Sequence, residues 1–290
     1  MIGGIPRRLR RESDRYALVD GIPFRLPVSC KRMQALMAAF PLAAEDVRAL
    51  LPGDTLRPVR LWRDGLLVIT VVNYEETVIG KYIEFSVAVA CAHREKDPPP
   101  LLPLLFRNHY RFGQYVYDLP VSTEISVKGG KGIWGMPKHQ ANLNFVVADG
   151  AVSSQYDEDG RLGVYVEIRR PRRPLLPISM AASNYCEFRG MLMKSNVYFR
   201  GRAAFAFGRW ASARLEIGDD PRLGPLRELR IGERPAFTVF FPEAHGVLDD
   251  YCESWFLGYE RPPERAPEGM ESVIGLGLGR EWLPPPRAKH

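Results

Sequence analysis

Alternation of apolar and polar positions is the strongest pattern in the chain. In "YIEFSVAVAC" (82 to 91) every second residue, Ile83, Phe85, Val87, Val89 and Cys91, is apolar, which on the two-residue period of a strand makes a core face. The opposite face carries Tyr82, Glu84, Ser86, Ala88 and Ala90, a tyrosine and a glutamate beside small residues. "LLVITVV" (66 to 72), "GVYVEIR" (163 to 169), "NVYFRGRAAFAF" (196 to 207) and "AFTVFF" (236 to 241) are rich in β-branched and aromatic residues and bounded by turn formers, so they are expected to be strands. A helical period is found in "PLAAEDVRALLPGD" (41 to 54), where Val47, Leu50 and Leu51 share a side before Pro52 and Gly53 stop it. A second helix is expected in "MAASNYCEF" (180 to 188). No strand-helix-strand alternation repeats. Strands in succession with few helices predict an α+β, mainly antiparallel, barrel-like fold and exclude a doubly wound sheet.

The Pro-rich stretch "DPPPLLPLL" (97 to 105) reads as a long loop, and "ERPPERAPEG" (260 to 269) as the start of a tail. The expected organisation is an arm over 1–28, one domain over 29–259 and a Pro-rich tail over 260–290. With 290 residues, 46% of them hydrophobic, the chain can bury a full core. The net charge of +6 comes largely from "RRLRRE" (7 to 12) and "RRPRR" (169 to 173). Neither cluster lies in the pattern of a nucleic-acid-binding module, so both read as solvated or subunit-contact charge and no nucleic-acid partner is expected.

No run reaches the roughly 18 apolar residues of a membrane span, and "MIGGIPRRLRRESDRY" lacks the apolar middle of a signal peptide. The expected compartment is the cytoplasm, with no membrane partner. Cys30, Cys91, Cys186 and Cys252 stand far apart, which encodes neither a zinc site nor a disulfide framework and suits a reducing compartment. His93, His109 and His245 have no ligand spacing, so no metal is expected. "GGKG" (129 to 132) lacks phosphate-loop spacing and reads as a turn.

Candidate chemistry centres on "GIWGMPKHQAN" (132 to 142), where Lys138 follows a run of tryptophan, methionine, isoleucine and glycine. An amine attacks a carbonyl only when neutral, and a dry apolar wall favours the neutral form. Ile133, Trp134 and Met136 can supply that wall, while Pro137 restrains the backbone ahead of the lysine; the alternative from composition is a surface lysine after a turn. Glu84 and Tyr82, on the polar face of their strand, either line a cavity and transfer protons there or face water.

Together "GKYIE" (80 to 84) and "GKGIWGMPK" (130 to 138) resemble the acetoacetate decarboxylase-like superfamily, over roughly residues 30 to 245. The helix ending in "LLPG" sits where that family has one ending in valine-proline. The resemblance implies a cone-like antiparallel β-barrel, assembled into homo-oligomers and needing no cofactor, in which a lysine forms a Schiff base with a small oxo acid. Acetoacetate decarboxylase itself is a known case of a lysine activated by desolvation or a neighbouring cation. The resemblance places Lys138 on the Schiff-base lysine, Glu84 on one of two active-site glutamates and Arg32 near the arginine that meets the substrate carboxylate, with Lys31 beside it. Tyr82, Trp134 and Met136 are expected to line the substrate site.

Two departures stand out. The family follows its nucleophile with a second lysine, where this chain has His139; on an extended segment that residue faces away from the amine. The second glutamate falls at or beside Ile69, where no carboxylate exists. The expected activity is decarboxylation of an acetoacetate-like 3-oxo acid. The alternatives are a pyruvate aldolase-dehydratase or a hydratase of an unsaturated oxo acid, and a non-catalytic barrel that binds a small molecule.

Overall fold

The computed structural model describes residues 5–10, 14–171 and 175–258. The chain first forms a hairpin, β1 (Arg15–Val19) and β2 (Ile22–Leu26), then the long strand β3 (Val28–Leu42), a short helix α1 (Ala44–Leu50), β4 (Leu56–Pro58), β5 (Gly65–Thr77) and β6 (Tyr82–His93). After one turn of helix, α2 (Leu102–Leu105), come β7 (Phe112–Val121), α3 (Glu124–Trp134) and the three-residue strand β8 (Lys138–Gln140). The short strands β9 (Asn142–Leu143) and β10 (Val146–Val147) lead into two hairpins, β11 (Ala151–Glu158) with β12 (Arg161–Arg169) and β13 (Leu176–Phe188) with β14 (Met191–Phe207). β15 (Ala213–Ile217), α4 (Gly224–Arg227) and β16 (Phe237–Phe256) complete the described elements.

Seven strands close into a barrel in the order β6, β5, β3, β16, β14, β13, β7, and β7 pairs back onto β6. Closure satisfies both edges of every barrel strand. Most pairs are antiparallel, but β7 runs parallel to β13 and to β8, which extends the sheet beyond the ring. Alternation sorts each strand's side chains. Ile69, Phe85 and Val87 point outward into a core shared with Val152, Tyr156, Val164, Val166 and Ile168 of the smaller sheet built on β11 and β12. The inward face encloses a cavity. This is the mainly antiparallel barrel with few helices that the sequence predicts.

Three expectations on local structure are corrected. The helix expected over 41–54 is confined to Ala44–Leu50, because Pro41 and Leu42 still pair with Leu66 and Gly65 as the end of β3. The segment 180–188 is no helix: it lies in β13, paired residue for residue with β14 from Met180 opposite Phe199 to Phe188 opposite Met191. The "GGKG" expected as a turn lies on α3. Its glycines there let the helix approach its neighbours, since a Cβ at Gly129 would come within 2.7 Å of the Phe24 ring and one at Gly132 within 2.4 Å of Val19. Much of the expected arm over 1–28 is thus the β1–β2 hairpin, packed on α3. The tail over 260–290 lies outside the described residues, as do parts of both arginine clusters. No helix among the described residues is long and apolar enough to cross a membrane.

Candidate functional site

The cavity, about 370 Å3, is lined by residues from each of the seven barrel strands and therefore lies within the ring. Lys138, the first residue of β8, projects into it from one end. Its side chain is 7% exposed, and its Nζ lies 2.7 Å from Oε2 of Glu84 and donates to Ser126 Oγ at 2.9 Å. The expected alternation of β6 holds: Tyr82, Glu84, Ser86 and Ala90 face the cavity while Phe85, Val87 and Val89 face the outer core. The Tyr82 ring centre is 5.5 Å from Nζ, and Tyr74 stacks on Tyr82 at 4.4 Å while donating to Glu84 Oε1 at 3.4 Å. Burial first, and then the charge of Glu84, pushes both phenols well above the ordinary tyrosine value. Both hydroxyls therefore keep their protons and can donate them in hydrogen bonds.

Trp134 and Met136 are buried and line the cavity, as expected. Trp134 is fixed by its indole N–H, which donates to the Asp249 carbonyl at 3.0 Å. Ile133 does not line the cavity but packs behind it, against the small core that Trp134 and Met136 form with Val116, Leu119 and Cys186. The wall is not wholly apolar, because Glu84 and Ser126 stand against the amine.

Arg32 is not brought to the site. Its guanidinium is 58% exposed and paired with Glu75 at 2.5 Å, and it does not line the cavity. The cause is local. The pairing of β3 with β5 shifts register on both sides of Arg32, and such an irregularity re-aims a side chain. Lys31 is likewise outward, paired with Glu76 at 3.2 Å. At the position of the missing glutamate, Ile69 belongs to the outer core, and its neighbour Thr70 faces the cavity directly opposite Ser86. The hydroxyls of Thr70 and Ser86 are buried and without a hydrogen-bond partner among the described residues.

His139 faces away from the amine, as an extended segment requires. Its Nε2 lies 2.9 Å from Asp118 Oδ1 and its Nδ1 3.3 Å from Glu158, and Asp118 also accepts from the Tyr156 hydroxyl at 2.7 Å. The network holds β8 against β7 and the smaller sheet from outside.

Several residues escaped sequence reasoning, among them Tyr74, Gly130 and Arg107 on the cavity wall and Ser126 at the amine. Tyr74 could have been found by extending the alternation Val68, Thr70, Val72 by one step. Ser126 and Gly130 share one face of α3, a turn apart, and that face touches Lys138. A Cβ at Gly130 would stand 2.4 Å from Lys138 Cδ and 2.6 Å from Cε. Gly130→Ala favours the helix, yet it is expected to push the amine off Glu84 and lower kcat/KM by roughly 10²-fold, the scale of an ångström's misplacement. Steady-state kinetics beside a thermal melt check this; full activity would mean that the lysine yields freely.

A family model described as acetoacetate decarboxylase (ADC) matches residues 12–192. Among curated protein sequences none matches the chain. Solved structures of the same fold include an acetoacetate decarboxylase (TM-score 0.59, 14% identity, covering 80% of this chain and 91% of that one). Another is the acetoacetate decarboxylase of Legionella pneumophila (TM-score 0.54, 14% identity, 77% and 85%). A third is the enduracididine biosynthesis enzyme MppR in complex with pyruvate (TM-score 0.55, 13% identity, 79% and 90%). At these identities the likeness is one of fold.

Proposed function

Because the chain belongs to the acetoacetate decarboxylase family, we propose that it is a Schiff-base lyase that decarboxylates a 3-oxo acid, with Lys138 as nucleophile and Glu84 as proton carrier. The observation that carries this reading is the 2.7 Å contact between Lys138 Nζ and Glu84 inside a closed barrel. Glu84 takes a proton from the ammonium, and the neutral amine adds to the substrate carbonyl. Protonation of the carbinolamine hydroxyl, with Glu84 as the donor, releases water and leaves an iminium. The bond to the carboxylate then breaks, carbon dioxide departs and its electron pair moves into the iminium to give an enamine. A proton taken up from water and passed on by Glu84 to the enamine carbon re-forms the iminium, which water hydrolyses to the ketone and free Lys138. Tyr74, neutral, supports Glu84 as a hydrogen-bond donor, and the neutral Tyr82 ring stands beside the amine.

Two features favour carbon dioxide loss over the aldol alternative. Condensation of pyruvate needs a cation for its carboxylate close to the amine, and Arg32 lies outside the cavity. A carboxylate next to the iminium would instead meet Thr70, Ser86 and apolar side chains, surroundings that do little to hold its charge. The aldolase-dehydratase reading is kept because Thr70 rather than a carboxylate faces the cavity beside Ile69, and because MppR, also solved with a condensation product of pyruvate and an aldehyde, shares the fold. Assembly with copies of itself and a cytoplasmic location belong to the same proposal. The test offers the pure protein acetoacetate in one tube and pyruvate with an aldehyde in another. Carbon dioxide release in the first is the expected result; a conjugated product in the second with no gas in the first would favour the alternative.

A further inference from the structure

The cavity has a second polar end. Ala90 lies six positions along β6 from Glu84, on the order of 20 Å at the rise of a strand, and Gln114 of β7 stands opposite it. Gln114 donates to Asn184 at 2.9 Å, and both line the cavity, as does Arg107, whose guanidinium stacks 5.1 Å from the centre of the Phe112 ring. Among the described residues no carboxylate pairs with Arg107, and burial alone holds its guanidinium below the ordinary arginine value. Between the two ends the lining is mostly apolar, supplied by Met37, Val68, Val116, Met180, Phe199 and Phe241, with the hydroxyls of Thr70 and Ser86 beside the amine end.

At the roughly 30 Å3 that a water molecule takes in the liquid, 370 Å3 holds about twelve non-hydrogen atoms. A four-carbon oxo acid would leave nearly half of that space empty. An extended chain advances about 1.2 Å per bond, so a chain of a dozen bonds reaches about 14 Å along the roughly 20 Å between the two ends.

Building on the Schiff-base reading, we propose that the substrate is an elongated oxo acid with an apolar middle and a second anionic group at its far end, held by Arg107. The reacting carbonyl sits at Lys138, the chain runs through the barrel and the distal carboxylate meets the one cavity-lining cation, among the described residues, that has no acidic partner. Asn184 and Gln114 stand beside it as further polar contacts.

The test uses the full-length protein and two probes, 11-oxododecanoate and its methyl ester, which differ only in the charge at the far end. Calorimetric titration is expected to show the acid binding about tenfold or more tightly than the ester, the worth of one charge-assisted contact. In Arg107→Gln that ratio is expected to fall to about one. Equal affinities in the unaltered protein, or an unchanged ratio in the variant, would overturn the proposal. Borohydride treatment of the same samples, read by mass spectrometry, keeps the two readings apart. A preference for the acid without an adduct on Lys138 supports the distal site and sinks the Schiff-base chemistry, whereas an adduct without the preference does the reverse.

Discussion

Lys138→Ala is expected to abolish the borohydride-trapped adduct with an oxo acid and to lower turnover by on the order of 10⁶-fold, the loss seen when a covalent nucleophile is removed. Nothing else lining the cavity can replace it, since Arg107, the other cation there among the described residues, stays protonated and forms no imine. The substitution also has a structural cost. Glu84 is 18% exposed and would lose its partner at 2.7 Å. Removing one member of a fully buried pair costs about 3–5 kcal/mol, and because Glu84 reaches the cavity we expect roughly 1–2 kcal/mol, or a fall in Tm of several degrees. Lys138→Ala combined with Glu84→Gln should recover part of that loss and none of the activity. Mass spectrometry and thermal melts of the two variants measure both effects, and adduct formation in Lys138→Ala would move the nucleophile elsewhere.

Glu84→Gln keeps the shape of the side chain and removes its capacity to carry a proton. Turnover is expected to fall by roughly 10²- to 10⁴-fold, the usual worth of a general acid-base group. Imine formation, carbinolamine dehydration and enamine protonation all draw on the same carboxylate, so single-turnover trapping should slow along with steady-state turnover. The hydroxyls of Tyr74 and Tyr82 are held too firmly protonated by burial to take over as bases. Near-normal rates in this variant would make Glu84 a structural partner of the lysine and leave the proton carrier unidentified.

The polar face of residues 82 to 91 and the tryptophan-methionine lead to Lys138 were legible because each depends on the few residues around it: strand alternation and a proline-restrained approach are local matters. The helix Glu124–Trp134 was not, since glycines at 129, 130 and 132 lower its propensity and only contacts with Phe24, Lys138 and Val19 explain why they are there. The strand over 180 to 188 was hidden for a related reason. Its mixed apolar and small residues carry no clean period, and pairing with β14 decides its conformation. Arg32 was misplaced because a register shift, invisible in composition, turns it outward. Arg107 lies in a Pro-rich connection whose route to the barrel is fixed by distant strands.

The ring of strands divides its labour along the chain. The amine and its carboxylate both come from the stretch running from β6 to β8, strands joined in the sheet through β7. Much of the wall around the substrate's apolar middle comes from elsewhere, from Met37 on β3, Met180 on β13, Phe199 on β14 and Phe241 on β16. Reactivity and selectivity are thus inherited by different segments. Substitutions in the late strands can refit the barrel to a new tail without touching the pair that makes and breaks the bond, so one lineage can keep its chemistry while its diet changes.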